Sequence, residues 1–208
     1  MPLWKEWTEE GARFAIWQVG ETAGELRKRL ISSSLPYDEE LACLKAESRR
    51  LEYLVVRVLL RTLCGEEKQI QHLPSGKPYL ADGRSFHITI SHTRGYVAIG
   101  LHPQREVGID IEYVSERVRK VVDRFMYPEE FNESTDTSYL LVHWSAKETM
   151  YKMMGMEEVD FLKHLRVYPF RLLSEGQCEG QEFRTERRAC FSLHYLVNSE
   201  FVCTWCVN

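Results

Sequence analysis

The chain has 208 residues, 44% of them apolar and 28% charged, with a formal net charge of −4. That length suits one large domain or two small halves sharing a core, and the balance excludes wholesale disorder. A net negative chain has no general attraction for nucleic acid or an anionic membrane. Any anion it binds must be held by a local cluster of basic groups.

The first ten residues, Met-Pro-Leu-Trp-Lys-Glu-Trp-Thr-Glu-Glu, are broken by acids, and no secretory apolar core follows. No window approaches the roughly 18 apolar residues of a membrane span. The expected compartment is the cytoplasm, and the six cysteines are expected as reduced thiols. Cys203 and Cys206 form one CxxC pair, but a structural zinc site needs two more ligands and no second pair exists. The segment Phe201–Val207 reads as a strand, which sends residues three apart to opposite faces. Buried small apolar side chains are the preferred reading for both.

In chain order, Arg13–Val19 reads as a strand. Glu39–Cys64 is strongly helical, with Leu44, Leu51, Val55 and Val58 as its apolar positions and Gly65 as its stop. His87–Ser91 and Tyr96–Leu101 form a hairpin around Thr93-Arg94-Gly95. The order then repeats. Glu106–Tyr113 is a strand, Ser138–Met154 a helix ending before Gly155, and Phe191–Val197 with Phe201–Val207 a second hairpin around Asn198-Ser199. The expected fold is α+β: two similar, pseudo-twofold-related half-domains, 1–103 and 104–208. Each would be a small antiparallel sheet packed on a long helix, with the site in the crevice between them.

Between the second strand and the second helix, Val118, Val121, Val122 and Phe125 follow helical spacing. Arg117, Lys120 and Arg124 share another face. That face is either a solvated side of an amphipathic helix or a docking surface for an acidic partner.

Asp110 and Glu112 stand two apart on a strand, so both carboxylates leave one face. Two adjacent acids repel unless something neutralises them. A divalent cation with hard oxygen ligands, such as Mg2+, would do so; an exposed strand face would make the pair harmless. Glu148 and Lys152 stand four apart on a helix, as a surface salt bridge or as a metal and phosphate grip, with Lys147 beside them. Gly76-Lys77-Pro78 is a turn. Ser91-His92-Thr93 closes a strand, its histidine structural or a ligand. Arg50, Arg57 and Arg61 fall near one stripe of the first long helix, with Arg49 alongside. Such a stripe is a charged face or a phosphate grip.

Taken in order, these pieces resemble one family. Gly76-Lys-Pro78, Ile90-Ser-His-Thr93, Val107-Gly-Ile-Asp-Ile-Glu112 and Trp144-Ser-Ala-Lys-Glu-x3-Lys152 look like the signature of the 4′-phosphopantetheinyl transferase superfamily. Length and two-half organisation resemble its larger monomeric branch, the surfactin-synthetase-activating type. The resemblance implies transfer of phosphopantetheine from coenzyme A to a serine of an apo acyl or peptidyl carrier protein, an acidic partner. Mg2+ would be held by Asp110, Glu148 and Glu112. Lys147 and Lys152 would contact the pyrophosphate. His92, with an arginine of the Arg49-Arg50 pair and Arg50 preferred, would hold the 3′-phosphate. Lys77 would contact the nucleotide, Ser91 would also bind coenzyme A, and Glu148 would act as the base, with Lys152 beside it. The family often carries Phe-Asn-x-Ser-His-Ser where this chain has Ile88-Thr-Ile-Ser-His-Thr93. It also has an acid in the connector, a place that Glu129 or Glu130 could fill. The alternative is a homologue that binds coenzyme A or carrier protein without turnover. No Gly-x4-Gly-Lys-Ser/Thr loop supports a nucleoside triphosphate donor.

Overall fold

The computed structural model describes residues 2–83, 86–132 and 135–208, and the chain divides into two units, Met1–Gln104 and Arg105–Asn208. In the first, β1 (Leu3–Glu9) and β2 (Ala12–Gln18) form a hairpin, followed by the short helices α1 (Ala23–Arg27) and α2 (Tyr37–Ala42). The long helix α3 (Glu47–Cys64), a small hairpin of β3 (Ile70–His72) and β4 (Pro78–Leu80), and then β5 (His87–Thr93) and β6 (Tyr96–His102) complete the unit. The main sheet is antiparallel throughout, in the order β1-β2-β6-β5. Leu54, Val55, Val58, Leu59 and Leu63 of α3 share one core with Ala15, Trp17, Val97, Ile99 and Leu101 of the sheet. Full burial of each large aliphatic side chain contributes about 1.5–3 kcal/mol, which ties the helix to the sheet.

The single helix expected over Glu39–Cys64 is two helices. The chain leaves α2 at Cys43, and Ala46 is extended, with ψ 134°. The break frees carbonyls that a continuous helix would satisfy. Arg50 meets one of them, its Nε donating to the Leu44 carbonyl at 2.7 Å. The turn expected at Gly76-Lys77-Pro78 closes the β3–β4 hairpin, with the Leu73 amide donating to the Lys77 carbonyl at 2.9 Å.

The second unit opens with β7 (Val107–Tyr113) and contains the long helix α4 (Thr137–Met154), the single turn α5 (Phe161–His164), and β8 (Leu165–Val167), β9 (Glu175–Glu182), β10 (Cys190–Val197) and β11 (Phe201–Val207). Its antiparallel sheet has the order β7-β11-β10-β9-β8. Asp136 caps α4, its carboxylate accepting from the Tyr139 amide at 2.8 Å, and Gly155 ends the helix in the left-handed conformation with φ 59°. Most of α4 is buried, and its core partners come from β8 to β11 and the connector after β7.

That connector corrects the amphipathic helix expected there. It is three 3-10 stretches, Glu116–Lys120, Val122–Arg124 and Pro128–Glu130. Ser115 caps the first by accepting from the Arg117 amide at 3.3 Å, and bonds three residues apart run from Val118 to Ser115 and from Val121 to Val118. The apolar and basic faces survive the change. Val118 and Phe125 are buried, while Arg117, Lys120 and Arg124 are exposed.

The expected repeat of strand, helix and hairpin recurs as topology. In each unit the strand before the long helix pairs with the second strand of the hairpin after it, giving β2-β6-β5 and β7-β11-β10. Cys203 and Cys206 are both buried on β11, the first paired with Ile111 and the second with Gly108, and so face opposite ways. No helix among the described residues is long and apolar enough to cross a membrane.

Candidate functional site

Strand alternation makes the first cluster. On β7, Val107, Ile109 and Ile111 take one face and Gly108, Asp110 and Glu112 take the other. The second face meets α4, and Gly108 lets the helix approach. A Cβ there would stand 2.6 Å from Met153 Cγ and 2.8 Å from Thr149 Cγ2. At this separation Lys152 Nζ reaches Asp110 Oδ1 at 2.7 Å and the Ile109 carbonyl at 3.1 Å. Trp144, two turns earlier on α4, donates from Nε1 to Glu112 Oε1 at 2.8 Å.

Electrostatics join Glu148 to the same group. Its carboxyl is pushed up to about 7, first by burial and then by the Asp110 charge, with Lys152 opposing. Glu112 also rises to about 7, from burial and Asp110, against the Trp144 hydrogen bond and Lys152. Three acids thus crowd one lysine, and a second positive charge would relieve them. Carboxylate oxygens are the donors a hard cation such as Mg2+ selects, so the donor set fits that ion. Among the described residues, no three His, Cys, Asp or Glu side chains stand close enough to make a ready-formed metal cage.

Two openings flank Trp144. One, of about 840 Å³, is walled by Glu148 with Val121, Arg124, Tyr151 and Phe161. The other, of about 250 Å³, is walled by Glu112, Arg117, Val118 and Leu141.

Lys147 does not join this cluster. It has no exposed side-chain surface, and its Nζ lies 2.8 Å from the Glu130 carboxylate and donates to the Phe125 carbonyl. A pyrophosphate contact needs an accessible ammonium, so the expected contact is not available to Lys147 in this conformation. Burial pushes this lysine down to about 8, against the opposing pull of Glu130. Glu130 also accepts from the Tyr127 amide at 2.5 Å and the Val167 amide at 2.7 Å. Of the two connector acids, Glu130 is therefore the buried one, while Glu129 is exposed.

The first unit holds the other expected residues. Glu52 on α3 gathers two of the basic groups. Arg49 Nη1 is 2.9 Å from its Oε2, and His92 Nδ1 is 3.6 Å from its Oε1. Arg49 thus neighbours His92, whereas Arg50 turns to the Leu44 carbonyl. The arginine stripe is otherwise spent internally. Arg57 stacks on Tyr53 at 3.3 Å and pairs with Glu40 at 2.9 Å, and Arg61 donates to the Arg29 carbonyl. Ser91 is buried on β5 opposite Ala98, His92 is exposed, and half-buried Lys77 sits in the β3–β4 turn. The sequence pattern gave no sign of Glu52 as a shared partner, because a helix glutamate meets a strand histidine only through tertiary packing. Trp144 stands one turn before Glu148, a spacing that marks it as a neighbour of the cluster.

Residues 106–206, nearly the whole second unit, match the family model described as the 4′-phosphopantetheinyl transferase superfamily. A putative 4′-phosphopantetheinyl transferase of Synechocystis is 30% identical over 120 residues, covering 50% of this chain and 49% of that protein. A 4′-phosphopantetheinyl transferase of Bacillus subtilis is 26% identical over 137 residues, covering 63% and 59%. One from Bacillus pumilus is 30% identical over 87 residues, covering 39% and 37%. The chain spans about half the length of the curated relatives it matches. The likeness of this chain to the 4′-phosphopantetheinyl transferase superfamily is thus carried by its second unit.

Proposed function

We propose that this chain moves the 4′-phosphopantetheine group of coenzyme A onto a serine of an apo acyl or peptidyl carrier protein, releasing adenosine 3′,5′-bisphosphate, with Mg2+ as cofactor. One observation carries the proposal: Asp110, Glu112, Glu148 and Lys152 gather between β7 and α4 in the segment the family model matches.

Asp110, Glu112 and Glu148 supply the oxygens that would hold the cation. Once bound, Mg2+ supplies positive charge against which a pyrophosphate can part. Glu148, with a carboxyl near neutrality, is suited to take the proton of the serine hydroxyl. The serine oxygen then bonds to the phosphorus that carries pantetheine. The bond from that phosphorus to the bridging oxygen breaks, and the bisphosphate leaves with the electron pair. Lys152 holds Asp110 in place and lends charge toward the leaving phosphate. In the first unit, His92 with Arg49 or Arg50 binds the 3′-phosphate, Lys77 contacts the nucleotide, and Ser91 also binds coenzyme A. Arg117, Lys120 and Arg124 form the contact for an acidic carrier, and the protein works as a cytoplasmic monomer.

The test is product release. Adenosine 3′,5′-bisphosphate should form, by chromatography, only when coenzyme A, Mg2+ and an apo carrier are all present. Its absence across a panel of apo fatty-acid, polyketide and peptide carriers would overturn the proposal.

A further inference from the structure

Three hydroxyls lie buried where α4 crosses β11. Ser145 Oγ is 2.9 Å from Thr204 Oγ1, and Thr149 Oγ1 is 2.6 Å from the same atom. Thr149 also donates to the Thr204 carbonyl at 3.3 Å. All three side chains are 0% exposed. Aliphatic side chains of the same size would fill this space without needing partners, so hydrophobic packing alone does not call for a hydroxyl chain here.

Its place in the fold supplies a reason. Thr204 is the register partner of Asp110 across β11 and β7. Ser145, Thr149 and Lys152 form one stripe of α4, at helical spacings of four and three. The residue that meets Asp110 and the two that meet Thr204 therefore lie in one row. Thr149 also packs its methyl over Gly108, where the helix comes closest to β7. Apolar contacts are non-directional and leave a helix free to roll by some degrees. Hydrogen bonds with narrow distance and angle ranges fix the roll.

We propose that Ser145, Thr149 and Thr204 are positioning residues: they set the rotation of α4 against β7 and so hold Lys152 on Asp110 and Glu148 at the carboxylate cluster. This rests on the transfer reaction proposed above for its kinetic readout, but its geometric readout does not.

The test compares Thr204→Val with Thr204→Ser. Valine keeps the shape, and the two helix hydroxyls can fall back on carbonyls one turn earlier, so the fold should survive with a melting temperature close to wild type. Thr204→Val should lower kcat about tenfold or more with the KM for coenzyme A within about twofold, and Thr204→Ser should recover most of the loss. Thr149→Val should act in the same direction. Independently of turnover, nitrogen-15 NMR should show a slowly exchanging Lys152 ammonium signal in the wild type that Lys152→Arg removes and Thr204→Val weakens. Wild-type kcat in Thr204→Val, or an unchanged ammonium signal, would overturn the proposal. So would equal losses in kcat, KM and melting temperature that serine does not rescue. If the wild type transfers nothing to any carrier, the transfer reading fails, and the ammonium signal still decides this one.

Discussion

Lys147 and Glu130 form an ion pair shut off from water. The ammonium lies 2.8 Å from the carboxylate, and the two side chains are 0% and 3% exposed. Around it gather the connector at Phe125, α5 at Phe161 and β8 at Val167. Removing one member leaves a buried charge without its partner, at a cost of about 3–5 kcal/mol. Lys147→Met should lower the stability by that order in urea titration. Lys147→Met with Glu130→Gln should recover part of it, since the neutral amide leaves no unpaired charge and its oxygen can still accept from one of the Tyr127 and Val167 amides. A single variant as stable as wild type would remove the pair from its structural role.

Glu148 gives a pH prediction for the cation-free protein. Its carboxyl is raised to about 7 in the folded state, above the ordinary carboxylate range. The folded protein therefore keeps a proton that the unfolded chain has released. The stability linked to it is fully present below the unfolded pKa and is lost as pH rises toward and through 7. Glu112 shifts in the same direction. Glu148→Gln should match wild type near pH 4.5 and melt at a higher temperature near pH 8 in chelator, checked by calorimetry. Equal melting temperatures at pH 8 would contradict the shift.

Asp110 meets Lys152 at 2.7 Å and perturbs both glutamates. Asp110→Ala should reduce transfer by about 100-fold or more even at high Mg2+. Substantial turnover in this variant would take Asp110 out of the cation site.

His92 and Arg49 share Glu52, so a 3′-phosphate could take that carboxylate's place between them. His92→Ala should weaken coenzyme A about tenfold and leave dephospho-coenzyme A, which lacks that phosphate, unchanged. Calorimetric titration decides it, and equal losses for the two ligands would reject the contact. Arg49→Ala should behave like His92→Ala, while Arg50→Ala should act chiefly on the α2–α3 break.

Arg117 and Arg124 are exposed and stand on the walls of the two openings beside Trp144. Reversing both to Glu should raise the carrier KM about tenfold and leave coenzyme A affinity alone. An unchanged carrier KM would exclude this surface from docking.

Much of this was legible in the sequence because it is written in local periodicity. The β7 alternation of apolar residues with Gly108, Asp110 and Glu112 gives both the strand and the shared carboxylate face. The row of Trp144, Glu148 and Lys152 follows from helical spacing alone. The missing pieces are those that only distant partners define. Strand β9, Glu-Gly-Gln-Cys-Glu-Gly-Gln-Glu, has weak strand propensity and is held by β8 and β10. Residues 116–124 carry helical spacing, yet short three-residue bonds win there. Whether Lys147 faces a ligand or a buried glutamate depends on its roll about α4, and the motif spacing does not encode that angle.

The most direct test weighs the acceptor. An apo carrier protein incubated with this chain, coenzyme A and Mg2+ should gain one phosphopantetheine, about 340 Da by intact mass, and the gain should vanish with chelator and with Asp110→Ala. A carrier mass that stays unchanged while coenzyme A binds measurably would contradict transfer at this site.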